Sequence, residues 1–252
     1  MVDWTSLQNE LRIWRGEGLA LHLWWRDDDA VSHTEALDRM VALAAGLEMP
    51  VHLAVIPKYA DQSLVDLVLA GQNLVPLVHG WAHENNASQG RKKAEFGEPR
   101  LGQIQEAAAA IDRMQSLFGA DLAAIFVPPW NRIDPALTTR LPALGYRALS
   151  TFTPRTTRNP TDGLVQINTH IDPIDWRGGG GLVSPETILA NLIRHLQDRR
   201  EGRADPAEPL GMLTHHLVQD AKTWQFTETC LSRLLESGAV PLNLRTMIHD
   251  LP

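Results

Sequence analysis

The sequence predicts an α/β fold built on parallel strands, and two observations carry that reading. Short apolar runs alternate with helix-patterned segments along the whole chain. The chemically loaded residues recur just after the C-terminal ends of the predicted strands, at Asp27 to Asp29, His79, Trp130, Asp172 and His215. In a parallel barrel those ends share one face, where the loops between strand and helix build the site. No proline- or serine-rich linker divides the chain, so residues 1–252 are expected to form one domain.

Taken in order, Leu7 to Arg15 has helical spacing, with Leu7, Leu11 and Trp14 on one side. Leu19 to Leu23 reads as a buried strand ending at Trp24-Trp25-Arg26-Asp27-Asp28-Asp29. Ala36 to Leu47 is a helix closed by Gly46 and Pro50, and Val51 to Ile56 is a strand stopped by Pro57. A short helix over Ser63 to Ala70 precedes a third strand, Leu74 to Val78, that runs directly into His79. Glu84 to Gly102 is polar and reads as a long surface loop, with Arg91-Lys92-Lys93 a solvated face. Gln103 to Phe118 is a strongly amphipathic helix, and Ala123 to Val127 a strand ending at Pro128-Pro129. Pro135 to Leu144 reads as a helix, Tyr146 to Phe152 and Leu164 to Asn168 as strands, and Pro185 to Arg200 as a helix. Gly178 to Gly181 lacks the ending of a phosphate loop and is expected to be a turn. Leu210 to Leu213 is a strand ending at Thr214-His215-His216, followed by a helix over Glu228 to Ser237 and a short strand over Val240 to Leu244.

The net charge of −7 argues against a nucleic-acid partner, whose binding rests on neutralising phosphates. No apolar run approaches the ~20 residues of a membrane helix. The N-terminus lacks a basic region followed by an apolar core, so a cytoplasmic protein is expected. The single cysteine, Cys230, allows no internal disulfide and is placed in a helix core.

Three consecutive carboxylates at a strand end repel one another unless a cation sits among them, and that cation is Arg26, a metal ion or both. One Asp would suffice to cap the next helix. His79 and His83 are four apart. If the chain turns helical there, both imidazoles share a face, and with one carboxylate they make the open three-ligand pattern of catalytic zinc. Val127-Pro128-Pro129-Trp130-Asn131-Arg132 is stiffened by its prolines and presents an aromatic and a cation, either as a turn or as a pocket wall. Asp172-Pro173-Ile174-Asp175-Trp176 repeats the mixture of carboxylate and aromatic. His215 could protonate a leaving group, since an imidazole titrates near neutrality. A third metal ligand or a buried structural histidine is the alternative.

Together these five stretches resemble the polysaccharide deacetylase family, carbohydrate esterase family four, whose five motifs fall in the same order from about Leu19 to Leu244. The family's Thr-Phe-Asp-Asp-Gly is matched by Trp25-Arg26-Asp27-Asp28-Asp29, and its His-Ser/Thr-x-x-His by His79-Gly80-Trp81-Ala82-His83. Its Arg-x-Pro-Tyr/Trp is matched by Val127 to Trp130, its Asp-x-x-Asp-Trp by Asp172 to Trp176, and its Leu-x-His by Leu213-Thr214-His215. The resemblance implies a distorted (β/α) barrel and a divalent metal ion, zinc by its donor set, that serves hydrolysis of an N-acetyl group on a sugar or related small amide. Asp28, His79 and His83 would hold the metal, Asp27 would be the base that takes a proton from water, and His215 the acid that protonates the amine. Asp175 would orient or tune His215, and Trp130 would act through its backbone N–H and its ring. Arg26, Asp29, Asp172 and Trp176 would line the substrate pocket.

The chain departs from the family pattern at Gly80, where a hydroxyl residue is usual, and at Val127, where the family has the arginine that pairs with the base. Arg132 or Arg26 is expected to supply that cation. The aspartate triplet has two registers. The preferred one takes Asp27 as base and Asp28 as ligand, because the spacing to Thr34 fits the family's threonine. The other takes Asp28 as base and Asp29 as ligand, because the small Ala30 then follows the pair. The rival functions are a different metal-dependent amide or ester hydrolase and a non-catalytic carbohydrate-binding barrel.

Overall fold

A computed structural model describes residues 2–71 and 73–249. Its elements in chain order are α1 (Thr5–Gly16), β1 (His22–Ala30), α2 (Glu35–Gly46), β2 (Val51–Val55), α3 (Gln62–Leu69) and β3 (Leu74–His79). There follow α4 (Gln103–Phe118), β4 (Ile125–Val127), α5 (Pro135–Thr138), β5 (Ala148–Leu149) and β6 (Val165–Gln166). The chain closes with α6 (Pro185–Arg200), β7 (Leu210–Thr214), α7 (Ala221–Glu236), β8 (Val240–Pro241) and α8 (Leu244–His249).

The strands form one parallel sheet in the order β6-β5-β4-β3-β2-β1-β7, with β8 added beside the start of β1. Beyond β6 the chain reaches back to the other edge, where the Leu213 N–H donates to the Ile171 carbonyl at 2.7 Å. The sheet therefore curls into the distorted parallel barrel expected of the sequence.

Alternation along β1 sorts its side chains. Leu23 and Trp25 point outward into the large core between sheet and helices, with Leu37, Met40 and Leu231. Trp24 points inward with Val75, Leu77, Ile125 and Val127, and α8 plugs this inner layer with Leu244 and Ile248. Trp24 is accommodated because its partner in β7 is Gly211. A Cβ at Gly211 would lie 2.5 Å from the Trp24 Nε1 and 2.7 Å from the Asn168 carbonyl.

Several boundaries differ from expectation for physical reasons. β1 does not stop before the aspartates but runs through them to Ala30. The segment expected as one helix from Pro135 is a single turn of α5 and then a tight turn at Pro142, which cannot continue the hydrogen-bond ladder. α7 begins at Ala221, capped by Asp220, whose carboxylate accepts the Thr223 N–H at 2.7 Å. The expected last strand is cut short at Pro241 and gives way to α8. No described helix is long and apolar enough to cross a membrane.

Candidate metal centre and pocket

The C-terminal ends of β1, β3 and β7 and the loops after β4 and β6 meet around a cavity of about 610 Å³. Asp28, Asp29, His79, His83, Trp130, Asn131, Arg132, Asp172, Trp176 and His215 all line it. A second cavity of about 730 Å³ beneath α6 shares the walls Phe152, Asp172 and Arg177.

β1 delivers the carboxylates unevenly. Its pairing with β2 slips between Asp27 and Ala30, and Asp29 takes a left-handed φ of 74°. Regular alternation would turn Asp29 to the outer face with Asp27, but the bulge swings it into the pocket beside Asp28. The group that can hold a metal is consequently Asp29, His79 and His83, whose ligand atoms all lie within 4.8 Å of one another. The Asp29 Oδ1 is 3.0 Å from the His79 Nε2 and 3.2 Å from the His83 Nε2. Asp28, expected as a ligand, is not in this group.

The donor set fits a cation. The His79 Nδ1 lies 3.0 Å from the Val127 carbonyl, which can only accept, so Nδ1 carries the hydrogen. With the ring neutral, its Nε2 lone pair faces the Asp29 carboxylate, and a cation or a second ring proton between the two acceptors satisfies both. Burial pushes Asp29 upward, but the His79 hydrogen bond and the charges of His79, His215 and His83 outweigh it and hold the carboxyl well below its usual range. Burial pulls His79 down, and Asp28 and Asp29 reverse this and raise it. Burial and the neighbouring His79 lower His83.

Asp28 is held by Arg26 two residues earlier on the same face. The Arg26 Nε lies 2.9 Å from the Asp28 Oδ1, an ionic contact off the hydrogen-bond line, and its Nη2 donates to Oδ2 at 3.1 Å. Nη1 donates to the Ser150 hydroxyl at 2.8 Å and Nη2 to the Asn131 Oδ1 at 2.7 Å, so the fully buried guanidinium is fixed from three sides. Of the two arginines expected to replace the one missing at Val127, Arg26 is the one that pairs with an aspartate of the triplet. Arg132 lines the pocket but donates to the Lys93 carbonyl at 2.6 Å.

Asp27 does not reach the pocket. It is fully buried on the outer face, with Oδ1 2.5 Å from the His216 Nδ1 and Oδ2 accepting from the Thr214 hydroxyl at 2.6 Å and the His216 N–H at 2.9 Å. Between the two histidines after β7, His215 faces the pocket and His216 faces Asp27. Trp176 packs edge-on against His215, with centroids 4.7 Å apart, and donates its Nε1–H to the Asp172 Oδ2 at 2.9 Å. Burial raises Asp172, while the charge of His215 works against that rise. Asp175 instead closes its own turn, accepting the N–H groups of Arg177 at 3.2 Å and Gly178 at 2.8 Å. It is therefore Asp172, not Asp175, that shares the pocket wall with Trp176 and His215.

The segment from His79 to His83 is not helical. Gly80 and His83 both have φ of 56°, and a tight turn brings the rings to 5.2 Å between centroids. Trp130, also at φ 56°, lays its ring 4.3 Å from that of His83. Glu95, inside the stretch expected to be a solvated loop, binds this turn. Its Oε1 accepts the Ala82 N–H at 2.7 Å and its Oε2 those of Trp81 at 3.1 Å and His83 at 3.2 Å. The one sign of it in the sequence is that Ala94 and Phe96 interrupt a charged run on either side of Glu95.

The curled parallel sheet is similar in fold to solved polysaccharide deacetylases. Neither a protein-family model nor a curated protein matches the sequence. Solved structures do match the fold. A family 4 carbohydrate esterase from Streptomyces lividans, in complex with acetate, aligns over 88% of this chain and 92% of its own at 14% identity and a TM-score of 0.54. A family 4 acetyl xylan esterase from Clostridium thermocellum, in complex with a cobalt ion, aligns over 91% and 92% at 13% identity and a TM-score of 0.53. A pseudoenzyme of the same family from Bacillus anthracis aligns over 91% of this chain and 66% of its own at 13% identity and a TM-score of 0.55.

Proposed function

We propose that this chain is a metal-dependent hydrolase that removes the acetyl group from an N-acetylated sugar or related small amide. The observation that carries the proposal is the convergence, around one cavity, of the Asp29–His79–His83 group, the arginine-held Asp28 and His215. A pure binding site needs neither a base nor an acid.

In this proposal Asp29, His79 and His83 hold a divalent ion, zinc by the donor set. When bound there, such an ion supplies Lewis acidity, polarising an acyl oxygen and acidifying water. Asp28 takes the proton from the attacking water, and Arg26 fixes the orientation of its carboxylate. The Trp130 backbone N–H is the donor offered to the developing oxyanion. His215 delivers a proton to the departing nitrogen, in the field of Asp172. The exposed Trp176 offers a flat apolar face to a sugar ring. One fold neighbour is named a peptidoglycan N-acetylglucosamine deacetylase and another an acetyl xylan esterase, which favours an acetylated saccharide as the substrate class.

Acetate release from a panel of N-acetyl sugars by zinc- or cobalt-loaded protein tests the proposal. Release that is lost on chelation and restored by the metal is expected. A loaded protein inert on the whole panel and on simple aryl acetates overturns it. One fold neighbour is a pseudoenzyme, and inertness would place this chain with it.

A further inference from the structure

Gly80 stands where the family motif has a hydroxyl residue, and the structure shows what occupies that space. A Cβ on Gly80 would lie 2.2 Å from the Glu95 Oε2 and 2.5 Å from the Pro129 Cδ. No side chain can stand at position 80 while the Glu95 carboxylate is in place. That carboxylate is 1% exposed and accepts three successive backbone N–H groups, from Trp81, Ala82 and His83.

We propose that Glu95 is a positioning residue for the metal centre: it holds the turn from Gly80 to His83 so that both imidazoles face Asp29, and Gly80 is the cavity that admits it. The proposal rests on reading Asp29, His79 and His83 as ligands. Three hydrogen bonds from adjacent amides to one carboxyl group leave the turn little freedom. The left-handed His83 is a conformation that non-glycine residues enter at a cost, so something must hold it. Glu95 is itself anchored on both sides. The Ala94 N–H donates to the Asn85 Oδ1 at 3.0 Å. The Phe96 carbonyl accepts from the Asp134 N–H at 2.7 Å, and its ring packs edge-on against Phe126. The chain between the second and third motifs thereby becomes part of the metal centre's frame.

The test uses the full chain with Glu95→Ala, Glu95→Gln and, as a control, Leu37→Ala in the remote core. Metal-free protein is examined first, by the NMR shifts of the His79 and His83 rings. Glu95→Ala is expected to move both sets, and Leu37→Ala neither. Zinc affinity is then measured by competition with a chelator, and the visible spectrum of the cobalt form is recorded. Glu95→Ala should weaken zinc by about 10- to 100-fold and alter the cobalt bands, as loss of residues that orient ligands does elsewhere. Leu37→Ala should lower thermal stability and leave both readings alone. If Glu95→Ala does not fold, Glu95→Gln keeps the shape but turns one acceptor into a donor facing N–H groups, and should shift the same readings less far. A Gly80→Ala substitution should cost less in the Glu95→Ala background than alone, since the clash with Glu95 is then gone and only that with Pro129 remains. Unchanged ring shifts with wild-type zinc affinity in folded Glu95 variants would overturn the proposal. Failure of the wild type to bind zinc or cobalt would instead overturn the ligand reading, while the metal-free ring shifts still decide the role of Glu95.

Discussion

Asp29 owes its place to a backbone angle, and the different environments of the three adjacent aspartates make their chemistry separable. If Asp29 is a ligand, Asp29→Asn should weaken zinc by about 10-fold or more, since even residues that merely orient ligands are worth that much. Asp28→Asn should bind zinc normally and lose about 100-fold or more in kcat, the contribution of a positioned base. Asp27→Asn should do neither, but should lower stability by breaking the buried contact with His216. Metal titration and kcat on the three variants separate these outcomes, and a metal-poor Asp28→Asn would restore the register preferred from sequence. The structure brings Asp29 rather than Asp28 to the two histidines, and the reason is local. Period-2 alternation is visible in a sequence, but a bulge with φ of 74° at its end is not. The two arginines were equally open, because which cation reaches Asp28 is decided by the fold. Arg26→Met should leave Asp28 buried without a partner, costing about 3–5 kcal/mol in denaturant unfolding, and should reduce kcat. Arg132→Ala, whose partner is a backbone carbonyl at an exposed site, should be near neutral in stability. Equal effects from the two would contradict the assignment of Arg26.

At the scale of elements, α4 and α6 were legible, and the start of α7 and the ends of the short strands were not. α4 and α6 begin and end where periodicity places them, whereas the first seven residues of α7, Ala221 to Thr227, precede the Glu228 expected from the sequence. β5 and β6 lie inside the stretches expected as strands, Tyr146 to Phe152 and Leu164 to Asn168, but are two residues each, and their ends are set by neighbours already in the sheet. Among the described strands, β7 shows the tightest fit between sequence and packing. Gly211 faces the indole of Trp24, and the backbone leaving β6 passes over it through Asn168 and Thr169. Gly211→Ala should therefore destabilise by at least about 1–3 kcal/mol, the usual cost of overpacking a core, although alanine suits a strand as well as glycine does. Thermal unfolding compared with Gly238→Ala, a glycine in the turn after α7, checks the cause: the Gly238 loss should come from its φ of 94° and the Gly211 loss from contact. Trp24→Phe should relieve part of the Gly211→Ala penalty, and an additive double variant would argue against the clash.

The whole molecule is tied together at His52, which joins the start of the sheet to the helix that plugs its base. Its Nδ1–H donates to the Trp25 carbonyl at 2.9 Å, and its Nε2 accepts the Leu244 N–H at 2.8 Å. The ring is wholly buried, and burial lowers its pKa from 6.5 to about 4, with the charge of Arg245 adding to the fall. The hydrogen bond to Trp25 opposes this without overcoming it. Protonation would place a hydrogen on Nε2, facing the Leu244 N–H, and so expel α8 from the inner layer. Between pH 6.5 and about 4 the unfolded chain binds a proton at this histidine and the folded chain does not. The stabilisation from a neutral His52 is thus complete above pH 6.5 and is lost as the pH falls towards 4, by roughly 3 kcal/mol for a shift of that size. His216 works in the opposite sense: burial lowers it, but the Asp27 charge and hydrogen bond raise it, so its contribution is full below pH 6.5 and fades as the pH rises. The wild-type profile mixes these with other histidines that burial lowers, His170 and His195 among them, so the comparison that isolates His52 is with His52→Gln, whose amide can accept from Leu244 and does not titrate. Urea unfolding at half-unit steps from pH 7.5 to 4.5 should give a shallower acid loss for the variant than for the wild type. Parallel profiles would mean that α8 stays docked over a charged ring and that the acid sensitivity of the fold lies elsewhere.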